Sequence, residues 1–108
     1  MKLAILESPF AGDVKRNTAY ARAALRDSLL RGEAPIASHL LYTQDGVLDD
    51  ALPDERRRGI DAGHAWLEKA DLVVVYSDLG ISSGMKQGVE RAAARGVPVV
   101  YRTIGWPK

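Results

Sequence analysis

Apolar and polar positions along the chain change period several times, and the changes mark the elements. Leu3–Glu7 is a short apolar run that breaks at Ser8-Pro9 and reads as a buried strand followed by a turn. Asp13 can cap a helix reaching residue 31, in which Ala21, Ala24, Leu25, Ser28 and Leu29 share one face and Gly32 is the stop. Residues 35–41 predict a second strand. Residues 42–52 form a loop with an Asp45-Gly46 turn and the acidic pair Asp49-Asp50. Pro53, Asp54 and Glu55 suit the first turn of a helix that carries Ile60, Trp66 and Leu67 to about residue 70. The β-branched run at residues 71–76 predicts a strand buried on both faces. Residues 77–83 are a loop, and residues 84–95 a helix with Met85, Val89, Ala92 and Ala93 inward and Gly96 as its stop. Residues 97–101 are the last strand, with Pro98 at its start. The tail to Lys108 has no assignment.

Strands that alternate with helices in this way want a parallel sheet and right-handed crossovers. The expected fold class is α/β: one flavodoxin- or Rossmann-like three-layer domain over residues 1–108, with four parallel strands in the order 2-1-3-4. In such a sheet the chain winds in opposite directions from strands 1 and 3. Ligands bind beyond the carboxyl ends of the strands at that switch point. The loops there are residues 8–13 and 77–84.

The first loop, Ser8-Pro9-Phe10-Ala11-Gly12-Asp13, sets small residues before a helix N-terminus, where free N–H groups favour an anion. Arg16 and Asn17 follow one turn later. An ordinary strand-to-helix turn capped by Asp13 accounts for the same residues. Neither a Walker loop nor a dinucleotide fingerprint is present. The second loop holds Asp78, Gly80, Ser82, Ser83, Gly84 and Met85. One serine serves as a helix cap. Asp78 is placed to take ribose hydroxyls, and the serines with their N–H groups a phosphate. His39, with Tyr42, stands on the same rim near the end of strand 2, where a structural hydrogen bond is its commoner use. His64 reads as packing or surface, and Arg56-Arg57-Arg58 as a solvated helix face, with contact to a phosphate or a partner subunit as the alternative.

Composition narrows the picture by exclusion. A formal charge of +1 with acids and bases interspersed gives no basic stripe, so nucleic acid is not an expected partner. The absence of cysteine removes disulfides, thiolate metal sites and cysteine nucleophiles. No metal or cofactor is called for. The N-terminus carries charge too early for a signal peptide and no apolar run approaches a membrane span, so a cytoplasmic location without membrane association is expected.

These residues resemble the nucleoside 2-deoxyribosyltransferase-like superfamily, which includes nucleotide N-glycosidases, and within it a short, often phage-encoded branch. The matching pieces are Ser8-Pro9-Phe10-Ala11-Gly12-Asp13, Trp66-Leu67-Glu68-Lys69-Ala70-Asp71, Ser82-Ser83-Gly84-Met85 and Gly96-Val97-Pro98-Val99. The resemblance implies a nucleoside-sized pocket and homodimers or larger homo-oligomers that complete each other's sites. It also implies a glutamate nucleophile four residues after Gly84, but Gly88 stands there. Glu90 lies two residues on, about 200° around the helix. The superfamily's second acid falls on Gly63. Asp78, His39 and Glu90 are the remaining catalytic candidates. Two glycines inside helices have two readings, close packing of helix against sheet or a ligand in the space of the missing side chains, and their standing in place of two acids favours a protein that binds or sequesters a nucleotide or ADP-ribose-like metabolite with weak or no catalysis. A deoxyribosyltransferase or nucleotide N-glycosidase is the alternative, and a structural or assembly protein the second alternative.

Overall fold

In a computed structural model that describes residues 1–107, four parallel strands form one sheet in the order β2-β1-β3-β4: β1 Leu3–Glu7, β2 Ala34–Ile36, β3 Leu72–Tyr76 and β4 Val99–Arg102. The helices are α1 Val14–Leu30, α2 Ser38–Leu41, α3 Pro53–Ala65 and α4 Ser83–Ala94, with a 3₁₀ turn at Trp66–Glu68 after α3. β1 sits between β2 and β3, with Ile5 opposite Ile36 on one side and Val73 on the other. The expected fold class and strand order hold.

Strand alternation divides the core into two layers. Ala4, Leu6, Leu72, Val74 and Tyr76 point toward α1, where they meet Tyr20 and Ala24. Ile5, Val73 and Val75 point the other way, onto Leu67, Met85 and Ala92. Continuing that second set from Ile5 puts Glu7 on the α4 side of the sheet, at the carboxyl end of a central strand. α1 begins as expected, with the Asp13 carboxylate accepting the Arg16 N–H at 3.1 Å. It ends before Gly32, whose φ of +84° a side chain would resist.

Two expectations are corrected, and the tail left without assignment acquires a place. β2 stops at Ile36 instead of continuing to residue 41, and residues 38–41 coil into α2. β2 is an edge strand with Pro35 in it, so it has little ladder to extend. The Leu40 and Leu41 N–H groups bond back to the Ala37 carbonyl instead. Ala93 is exposed; Ala92 is the buried residue of that pair. The tail after β4, without assignment from sequence, is part of the core: Ile104 and Trp106 pack on the α1 layer, and Trp106 meets Tyr20 edge-on with ring centroids 5.3 Å apart. Among the described residues no helix is long and apolar enough to cross a membrane.

Candidate functional site

A cavity of about 180 Å³ opens at the carboxyl ends of β1 and β3, between α3 and α4. Its position is the switch point expected from the strand order. Ser8 and Phe10 of the first loop, His39 of α2, and Ser82, Ser83, Gly84 and Met85 of the second loop all line it. Pro9, Gly12, Asp13, Arg16, Asn17, Asp78, Gly80, Gly88 and Glu90 do not.

The residues off the cavity have other work. Asn17 is buried and its Nδ2 donates to the Phe10 and Ala11 carbonyls at 2.9 and 3.1 Å, which fixes the first loop against α1. Arg16 and Glu90 are exposed. Gly12 and Gly80 make turns, with φ of +100° and +88°. Asp78 is the clearest departure. Its carboxylate accepts the Tyr20 hydroxyl at 2.7 Å and the N–H groups of Ile104, Gly105 and Trp106 at 2.9–3.2 Å. These donors hold its pKa below the usual value against the opposing effect of burial. Asp78 therefore anchors the C-terminal tail instead of facing the cavity. Asp78→Ala should cost about 2–4 kcal/mol, because it strips several donors of one shared acceptor. Urea unfolding followed by tryptophan fluorescence measures the loss.

Ser8 and His39 form a pair inside the cavity, Oγ to Nε2 at 2.7 Å, with the Phe10 ring edge-on to the imidazole. Burial lowers the His39 pKa to about 4, so the ring is neutral near pH 7. The turn of the chain into α2 positions this imidazole. α4 starts as expected on Ser82, whose Oγ accepts the Met85 N–H at 3.3 Å. Met85 is then buried against Ile5 and Val75.

The decisive residue was not singled out in the sequence. Glu7 ends β1 with its carboxyl in the cavity, and burial raises its pKa to about 7. It lies against Gly88 of α4. A Cβ at residue 88 would fall 2.8 Å from the Glu7 carboxyl carbon and closer still to one of its oxygens. The Glu7 carboxyl fills the side-chain space of this glycine. The same holds at Gly63, where a Cβ would stand 2.5 Å from the Ser38 Oγ and 3.1 Å from its Cβ. Gly63→Ala should therefore destabilise by about 1–3 kcal/mol, with part of the loss recovered in Gly63→Ala/Ser38→Ala. The chemical denaturation midpoints of the three variants test this.

Further lining residues come from the loop after α2 and from α3. Arg56 faces the cavity and pairs with Asp50 at 2.9 Å, while Arg57 pairs outward with Asp61. His64 also lines the cavity, and its Nδ1 is buried with no hydrogen-bond partner. Tyr42 accepts the indole N–H of the exposed Trp66 at 2.9 Å. Among the described residues no group of three His, Cys, Asp or Glu is placed to hold a metal ion.

A carboxyl of raised pKa, neutral imidazoles and hydroxyls around a small cleft can bind a polar organic molecule and perform acid–base or nucleophilic chemistry on it. Two solved structures share this fold. The 2-deoxyribosyltransferase of Bacillus psychrosaccharolyticus superposes with a TM-score of 0.65 at 16% identity, over 94% of this chain and 72% of that one. The CMP N-glycosidase BcmB of Clostridium botulinum superposes with a TM-score of 0.54 at 14% identity, over 98% of this chain and 72% of that one. None of the curated proteins matches by sequence. The chain shares the fold of these two enzymes, and the match of residues 2–102 to the family described as Domain of unknown function (DUF7768) makes it a member of that family.

Proposed function

We propose that this protein cleaves the N-glycosidic bond of a nucleoside or nucleotide, with Glu7 as the attacking carboxylate. The single observation that carries the reading is the position of Glu7: its carboxyl occupies the side-chain space of residue 88, where the superfamily resemblance implies a glutamate. The absence of a side chain at residue 88 then no longer means the absence of a carboxylate. The fold shared with a deoxyribosyltransferase and a nucleotide N-glycosidase adds support.

The chemistry follows from the carboxyl's state. With a pKa near 7, a substantial fraction is ionised at neutral pH and poorly solvated. Ionised Glu7 attacks the anomeric carbon, the C1′–N bond breaks, and its electron pair leaves with the base, which takes a proton from water. The hydroxide left by that water hydrolyses the glycosyl ester, releases the sugar and restores ionised Glu7. Ser8, hydrogen-bonded to neutral His39, supplies a fixed hydroxyl at the same cavity.

The test is incubation of the protein with a panel of nucleosides and nucleoside monophosphates, followed by chromatography for free base. Base release that depends on enzyme concentration is expected. Tight binding of an unaltered ligand would instead establish sequestration. One observation favours that second reading: Ser38, not an acid, fills the space beside Gly63.

A further inference from the structure

Phosphate recognition needs cations that are free to meet it, or several N–H groups converging on it. The groups facing this cavity provide little of either. Its acids are Glu7, Asp50 and Glu55, and its one cation among the described residues is Arg56. That guanidinium is already held by Asp50 at 2.9 Å at the partly exposed mouth. Glu55 stands beside them, its carboxylate accepting the Asp49 N–H at 3.0 Å. Arg91, whose charge helps depress the His64 pKa, lines a groove with the other side of that ring and not the cavity. Arg16 is outside it as well. The start of α4 offers the N–H groups of Ser83 and Gly84, because that of Met85 is taken by Ser82. A helix terminus equivalent to about half a charge does not outweigh the net negative charge of the lining.

The neutral hydrogen-bonding groups are more numerous. His39 and His64 are both shifted toward the uncharged form, and Ser82, Ser83, Tyr42 and Gln87 complete the wall.

Building on the reading of this cavity as a nucleoside or nucleotide site, we infer that Asp50 and Glu55 set its specificity: they exclude phosphate, and the ligand class is the unphosphorylated nucleoside. Asp50 acts twice, by its own charge and by occupying Arg56.

Titration of the wild-type protein with each nucleoside and its 5′-monophosphate, at low salt and pH 7, decides the matter. The nucleoside should bind at least about tenfold more tightly than its monophosphate, with the gap narrowing as salt screens the carboxylates. A monophosphate that binds equally well or better overturns the specificity inference and leaves the site reading standing. Binding of neither overturns both. In Asp50→Asn the ratio of monophosphate to nucleoside affinity should rise about tenfold, since a negative charge is lost and Arg56 is released. Glu55→Gln should move it in the same direction by less. A ratio unmoved in both variants overturns the role given to the two acids.

Discussion

Glu7→Gln is expected to lower base release on the order of 10³-fold or more, with binding of the intact ligand retained. Glutamine keeps the shape of the side chain but has no charge with which to attack C1′ or to balance the oxocarbenium-like transition state. The Gly88 contact makes a stricter test possible. Gly88→Glu alone places a side chain into the Glu7 carboxyl, with the Cβ 2.8 Å from its carboxyl carbon. It should lose both stability and activity, because steric overlap and like charge act together. In Glu7→Ala/Gly88→Glu the obstruction is gone and the carboxylate returns from the α4 side. Turnover should rise well above that of Glu7→Ala alone. Full turnover in Glu7→Gln would show that the catalytic group is elsewhere. A double variant that is folded but no better than Glu7→Ala would show that the two positions do not share one role.

The same substitution should make the protein more stable at alkaline pH. Burial raises the Glu7 pKa from an ordinary value of 4.5 to about 7. The folded state therefore holds this proton more tightly than the unfolded chain does. The penalty of ionising Glu7 in the fold is absent below about pH 4.5, grows as pH rises toward 7, and is constant above that. Its full size is roughly 3 kcal/mol. Glu7→Gln should thus gain about 1–3 kcal/mol at pH 8 and nothing from this source at pH 4.5. Glu33, Asp78 and His39 also titrate differently in the fold, but they are common to both proteins and cancel in the difference. Chemical denaturation of the pair across this pH range measures it. Equal stability at pH 8 would mean that Glu7 is not held in a poorly solvated place. A group that weakens the fold in its charged form is a common trait of catalytic carboxyls.

Most of the fold was legible because its signals are local. Asp13, Gly32 and Ser82 mark helix ends through their own hydrogen bonds or backbone angles, so their residue types suffice to identify them. The valine run of β3 requires burial on both faces, which only an interior strand provides. The edge element failed for the complementary reason. Residues 37–41 continue an apolar start at Pro35-Ile36, but an edge strand offers one partner, and turning into α2 satisfies its N–H groups and directs His39 to Ser8. Asp78 was read from its loop as a ligand group, whereas its donors lie 26 to 28 residues away and in α1. No local pattern announces that pairing.

The sequence by itself determined the order of the elements, the parallel sheet, and the end of it at which the cavity opens. Periodicity, caps and crossover rules depend on neighbours along the chain and on general chirality. Only the tertiary structure decided what the site contains. Glu7 looks like the last residue of an apolar strand, and Gly88 like the loss of an acid from a helix. They are far apart in sequence and meet across the sheet–helix interface, where one side chain fills the space the other vacates. Space of that kind is a property of packed surfaces, which admit one side chain and exclude a second. A linear reading registers only a glycine at residue 88; the packed structure places the Glu7 carboxyl in the space beside it.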